Sequence, residues 1–445
     1  MTHFKLIILF FLITAIHFSS YACTIVAVSG RVTEDGRPLL LKNRDSSAGN
    51  IKIKIGGGGS KYVYLCQCTI SDGVALSGYN ETGFSIVNSH SYNMPNTESG
   101  WNAQIMQLAL ENCSSVNGFD SLLNSLTKPI AVCANYGVMD AQGNVAIFEV
   151  NAYTHTRYDV DSSSEGYLIR TNYSLSGDTT IINTVTTTST SRYQIASRYL
   201  ADAVTTSGFL CKEHILGLSR CLVDSIGVDL REMAPLNQNV STPVVFTHYV
   251  PNRSSTSAMV IQGVLPNENP SLTVSWTMVG PPLSTVTIPL WINSDRVLPK
   301  KATLGEDGFA WLPHCGQQLK NSIFINNMTI DLAMLYNLSS TGIMQKICMI
   351  EEDILILGEE LLEGMRRNGF STNDVATYYA WVDNYLENQY SQYFYNGAPA
   401  NAINDVSDDT VGRETEYYDL LGRRVRNAPD NAVIKRTGNK AIILN

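Results

Sequence analysis

The chain has 445 residues, a formal net charge of −9 and 44% hydrophobic residues, the composition of a globular protein. That acidic balance, without any basic stripe, excludes a general nucleic-acid binder. After the first residues no stretch is long and apolar enough to form a stable membrane span, and no His or Cys pairs fall at metal-ligand spacing.

Residues 1–22 read as a signal peptide. Lys5 supplies the n-region charge, Leu6 to Ile16 is an apolar run of h-region length, and Ser20-Tyr21-Ala22 puts small residues at −3 and −1. Removal of this leader after Ala22 would start an exported protein at Cys23. Such a residue carries a thiol and a free α-amine together, a nucleophile and a base from one residue.

Two strand-like runs, Cys23–Val28 and Leu39–Asp45, flank an Asp35-Gly36 turn signal, the local pattern of a β-hairpin. Pairing about a midpoint at residue 34 brings Asp45 beside Cys23, to within about two residues. A carboxylate there could orient the terminal ammonium, or Asp45 could simply end a strand. Gly56–Gly59 with Ser60-Lys61 lacks the order of a phosphate loop and reads as a flexible loop. A second hairpin over 73–89 leaves Asn88 at a strand exit, where an amide could donate to an oxyanion or form a turn. His90 beside it is a candidate base or a surface histidine.

Helical spacing follows over 102–125, then a third hairpin over 135–151 and a short strand over Tyr167–Tyr173. Ser191 to about Val204 reads as a helix, and 211–226 as another. From Val244 strands return, including Ser257–Gly263, Leu272–Thr277 and Ser284–Trp291. Hairpins with a helical block between them predict an α+β fold of sheets covered by helices, not a parallel series. Gly305–Gln317 reads as irregular. An amphipathic helix is expected over 340–366 and an aromatic-rich helix over 373–394, whose Tyr378, Tyr379 and Trp381 are assigned to packing. Residues 398–415 read as a linker and 416–445 as a small β-rich tail. The division expected is a leader 1–22, a main domain 23–300, a mainly helical extension 301–397, the linker and the tail. Nine cysteines are an odd count: with Cys23 set aside, eight could pair.

The residues Cys23-Thr24, Asn43-Arg44-Asp45, Asn88, Thr171-Asn172 and Ser191-Arg192-Tyr193, in this order and spacing, carry a resemblance. The chain from about 23 to 295 resembles the cysteine N-terminal-nucleophile hydrolases. These include choloylglycine hydrolases, penicillin V acylases, isopenicillin N acyltransferases and acid-ceramidase-like amidases. Ser257–Trp291 is also similar to the related dipeptidases. The resemblance implies a four-layer αββα fold, here with a C-terminal helical extension and a small β tail, and needs no cofactor and no metal. It implies that Cys23 is nucleophile and base, that Asp45 fixes the amine, that Asn88 and Asn172 support the oxyanion, and that Arg192 is a charged residue of the site. One position departs. Where choloylglycine hydrolases place an arginine three residues before the aspartate, this chain has Lys42, and Arg44 stands next to Asp45. Alternation puts Lys42 and Arg44 on one face, so either could be the thiol-activating cation.

The activity this implies is hydrolysis of linear amides of a small-molecule or small-peptide substrate through a thioester. Acyl transfer from the same site is an alternative. A further one is a lipid-anchored surface binding protein modified at Cys23, against which stand Ser20 at −3 and the apolar strand directly after the cysteine. The segment Asp419–Val425 resembles the sorting tails read by type IX export machinery. The Asn-x-Ser/Thr sequons, Asn80, Asn252 and Asn337 among them, are then incidental.

Overall fold

The structure is a computed structural model that describes residues 22–46, 49–94, 100–182, 187–306 and 308–395, with four strand segments between 416 and 444. The leader up to residue 21 and the linker 398–415 lie outside the described residues.

Strand β1 (Thr24–Val28) is buried along its whole length and pairs with a neighbour on each side, β2 (Leu39–Asp45) and β10 (Tyr167–Arg170). Both of its faces are covered, which is why its apolar run does not alternate. Strand β2 continues to β12 (Ser255–Gln262), β13 (Val274–Met278) and β14 (Thr287–Leu290). The result is a six-stranded antiparallel sheet in the order β10-β1-β2-β12-β13-β14. A second sheet runs in sequence order: β3 (Ile51–Gly58), β4 (Lys61–Thr69), β5 (Ala75–Asn80), β6 (Ser85–His90), β7 (Ala134–Met139), β8 (Val145–Val150) and β9 (His155–Asp159). The two sheets stack closely. A methyl group added at Gly137 of β7 would meet Val87 at 3.1 Å, Leu40 at 3.5 Å and Ile25 at 3.9 Å.

Helices form the outer layers. Helices α1 (Asn102–Asn112) and α2 (Val116–Ser125) bury Ile105, Ala109, Phe119 and Leu123 against the second sheet. On the first sheet lie α4 (Thr187–Ser207), preceded by the short α3 (Thr179–Ile182), and α5 (Lys212–Leu218). The extension adds α6 (Trp311–Ile323), α7 (Leu332–Leu335), α8 (Ile343–Asn368) and α9 (Thr372–Phe394), with β11 (Pro243–Val245) paired to β15 (Thr329–Asp331). The order of layers is helix, sheet, sheet, helix, as the resemblance implies. Helix α8 buries Ile347, Ile350, Ile354 and Leu362. The aromatic row of α9 packs: Tyr379 Oη accepts from the Trp291 N–H at 2.7 Å, and Tyr378 Oη donates to the Ile354 carbonyl at 2.7 Å. The strands of the tail form an antiparallel sheet, while Asp419–Arg423 of the sorting-like segment lie outside the described residues. Among the described residues no helix is long and apolar enough to cross a membrane.

Four readings change. The glycines Gly56–Gly58 belong to β3 and bulge against β4, so this is a hairpin end, not a free loop. The helix expected over 211–226 ends at Leu218. The irregular stretch 305–317 runs into α6, which starts at Trp311. Its Pro313 sits in the first turn, where a missing N–H costs nothing. All nine cysteines are unbridged. Cys66, Cys68 and Cys113 are instead small apolar fillers in the core beneath α1.

Candidate active site

The β1–β2 connection is asymmetric because a 3-10 turn, Gly30–Val32, follows β1. Thr24 therefore pairs with Asn43, and Ile25 with Lys42. Continued past Thr24, this ladder sets Cys23 across from Arg44 and Ala22 across from Asp45, one residue from the sequence estimate. On the other edge Ile25 pairs with Arg170, so the continued ladder sets Asn172 across from Cys23. Alternation then sorts the side chains. Cys23, Ile25, Lys42 and Arg44 share the face turned to the second sheet. Thr24, Asn43 and Asp45 share the face turned to α4.

On the first of these faces, Lys42 reaches across the gap between the sheets. Its Nζ donates to Asn88 Oδ1 and to the Leu76 carbonyl, both at 2.6 Å. Asn88 lies within β6, not at its exit, and is buried. Held by its oxygen, its amide presents Nδ2 away from Lys42. Burial pushes the Lys42 ammonium down to about 8; the charge of Cys23 works upward and Arg44 downward. The cation next to the thiol is thus Lys42. Arg44 Nη1 instead donates to Thr256 Oγ1 at 2.7 Å.

The nitrogen of Cys23, here a backbone amide, donates to Asn172 Oδ1 at 3.1 Å. Arg192 Nη2 donates to the same oxygen at 2.7 Å, and Nη1 to the Cys23 carbonyl at 2.5 Å and to Thr24 Oγ1 at 3.0 Å. Asn172 Nδ2 donates to the His90 carbonyl at 2.9 Å. Asn172 thus joins the Cys23 nitrogen, Arg192 and the His90 carbonyl through its one amide group. The His90 ring lies at Asn102 Nδ2, 3.3 Å away, and edge-on to Tyr92, with its pKa lowered by burial. The contact of His90 with Asn172 is made by its carbonyl, not its ring.

Asp45 is fully buried and held by three donors: Asn43 Nδ2 at 3.0 Å, Ser255 Oγ at 2.5 Å and Asn252 Nδ2 at 2.7 Å. Burial pushes its carboxyl up to about 6, against the opposing pull of Arg192, these hydrogen bonds and Lys320. Asn252 and Ser255 were not foreseen as site residues. Asn252 stood out only as a sequon. Outside Asp45, a pocket of about 200 Å³ is lined by Ala22, Arg192, Phe246, Tyr249, Asn252 and Arg253, among others. Ala22 is itself part of this lining.

Residues 32–212 match the family model of acyl-coenzyme A:6-aminopenicillanic acid acyl-transferase. No curated protein matches. Similar solved structures include a mutant conjugated bile acid hydrolase from Clostridium perfringens, at 14% identity and a TM-score of 0.37 over 62% of this chain and 93% of that one. The penicillin V acylase from Agrobacterium tumefaciens matches at 14% and 0.37, over 62% and 87%. An N-acylethanolamine-hydrolyzing acid amidase ortholog from Caenorhabditis elegans matches at 14% and 0.38, over 55% and 94%.

Proposed function

We propose that this chain, which belongs to the N-terminal-nucleophile hydrolase superfamily, is an exported amidohydrolase whose nucleophile is the Cys23 thiol, completed when leader removal frees the α-amine. The observation that carries this reading is the clamp on Cys23. Its nitrogen and its carbonyl are each held, by Asn172 and by Arg192, and these two are bonded to each other. Any buried backbone N–H and C=O needs a partner, but here both partners are long-range side chains of the site, joined to each other. A nucleophile that must keep one orientation needs such a hold.

The chemistry follows from the two faces. The neutral α-amine takes the proton of the thiol. The Lys42 ammonium favours the thiolate. Sulfur attacks the amide carbonyl, and the oxyanion receives the Asn88 Nδ2 donor that Lys42 orients. The C–N bond breaks as the α-ammonium returns its proton to the departing nitrogen, leaving a thioester on Cys23. Water, deprotonated by the same amine, adds to the thioester and releases the carboxylate and the thiol. N-acyl amino acids, conjugated bile acids, β-lactam side-chain amides and small peptides carry the linear amide this requires.

The family match favours a second reading on the same site, in which an amine instead of water takes the acyl group from the thioester. The lipid-anchored reading is disfavoured by Cys23 itself, which is 7% exposed with strand β1 starting at the next residue. Export rests on the leader and on the sorting-like tail. One experiment tests these together. The mass of the exported protein is expected to match a chain starting at an unmodified Cys23, and Cys23→Ser is expected to lose amide turnover by at least about a thousandfold with the fold intact. An acylated N-terminus, or full activity of the serine variant, would sink the mechanism.

A further inference from the structure

The helical extension, which lies beyond the family match, reaches the turn beside Asp45 through a buried lysine. Lys320 of α6 is 4% exposed. Its Nζ donates to the carbonyls of Arg253 at 3.1 Å and Ser255 at 3.2 Å. Both carbonyls belong to the turn 252–255, whose side chains hold Asp45. Within that turn the Asn252 N–H donates to Ser255 Oγ at 2.9 Å, and the Ser255 hydroxyl donates to Asp45 Oδ1 at 2.5 Å. Phe324, which follows α6, lies 5.1 Å from the Arg253 guanidinium and anchors the same turn. A buried ammonium is an expensive way to fasten two backbone carbonyls, since burial alone opposes the charge. A nearby carboxylate that needs a positive field explains why one is kept.

We propose that Lys320 is a positioning residue for the reaction: it locks the 252–255 turn so that Asn252 and Ser255 aim the Asp45 carboxylate at the Cys23 amine, and its charge keeps that carboxylate ionised. This rests on the reading of Cys23 as an N-terminal nucleophile. The groups facing Asp45 are Asn43 of its own strand, Ser255 of β12, Asn252 of the turn, Arg192 of α4 and Lys320 of α6. Lys320 in turn feels Arg253, which lowers its pKa, and Asp45, which raises it; burial is the largest effect and brings it to about 8. Below that pH Lys320 is charged and opposes the upward push of burial on Asp45. Without the charge, Asp45 takes up its proton at a higher pH and releases the amine.

The test measures kcat/KM against pH on the full mature chain. Lys320→Gln keeps a polar head and drops the charge. Its acid limb is expected to move up by about one unit, a loss of about tenfold at pH 5.5 that vanishes above pH 8, where Lys320 is neutral in the wild type too. Lys320→Arg is expected to keep the wild-type limb while lowering kcat. An unmoved limb in a folded Lys320→Gln, or an equal loss at every pH, overturns the proposal. If Lys320→Gln does not fold, Lys320→Arg decides: a shifted limb, or an unchanged kcat, overturns it. Absent amide turnover in the wild type, or full activity of Cys23→Ser, would remove the underlying reading instead.

Discussion

Each face of the β1–β2 pair carries one buried lysine, and the two differ in what they hold. Lys42, in the gap between the sheets, bonds to the side chain of Asn88 and stands next to the thiol. Lys320, arriving from the extension, bonds to two backbone carbonyls, and its influence on the site passes through Asp45. Burial depresses both to about 8. On the proposed mechanism this difference separates two tasks of Cys23: the side of Lys42 would serve the charge that develops on reaction, and the side of Asn172, Arg192 and Asp45 would hold orientation. Damage on the first side should appear in the chemical step, and damage on the second in the pH profile and in stability.

The largest effect sought from this contrast is at Lys42. Lys42→Met removes the cation beside the thiol and releases Asn88, so kcat/KM should fall by about a thousandfold with KM little changed. The wild type should also lose activity as pH rises through about 8, where Lys42 discharges, and the variant should lack that limb. Its stability should respond in a definite sense. The folded pKa lies below the ordinary 10.5, so the contribution of Lys42 is present above 10.5 and is lost as pH falls through about 8. Over that descent the methionine variant should gain stability relative to the wild type, measured by thermal melts. A pH-independent difference would break the assignment.

Arg192→Met comes next and strikes the amine side. Three acceptors lose a charged donor, namely Asn172 Oδ1, the Cys23 carbonyl and Thr24 Oγ1. Stability should fall by about 2–3 kcal/mol in denaturant titration. Turnover should fall by about a hundredfold, since the nucleophile is misplaced but still present. A loss of activity with unchanged stability would mean that Arg192 acts on substrate, and the division between the two faces would fail.

The sequence made one side of this division more legible than the other. The leader-like run proposes Cys23 as the first residue of the site, and turn signals such as Asp35-Gly36 located the first hairpin, because both are local. Alternation assigned Lys42 and Arg44 to one face but could not rank them. What separates them is that Asn88, on the other sheet, stands over Lys42 while Thr256 takes Arg44. The ligands of Asp45 were harder still. Asn252 and Ser255 come from a turn far along the chain, and only the pairing of β12 with β2 brings them to Asp45. Helix α6, which supplies Lys320, begins with Trp311, Leu312 and Pro313 and contains Gly316, residues that read as a break when no partner surface is known. The expected pairing of eight cysteines rested on compartment, and compartment carries no geometry.

The smallest effect is at Asn252, and it tests the amine side most finely. Asn252 contributes one of three donors to Asp45, through Nδ2 at 2.7 Å, and its Oδ1 accepts from the Ser254 N–H at 2.8 Å. Asn252→Ala removes a hydrogen bond that favours the charged carboxylate, so the Asp45 pKa should rise further above about 6. Lys320 and Arg192 remain, so the shift should stay below that of Lys320→Gln. Activity above pH 7 should stay within about threefold of the wild type, with the acid limb displaced upward by a fraction of a unit. If Asn252→Ala instead matches Lys320→Gln across the whole profile, the lysine acts only by holding the turn and its charge is dispensable. If the limb does not move at all, Asp45 is not the group that sets it, and the carboxylate assigned to the amine must be sought elsewhere.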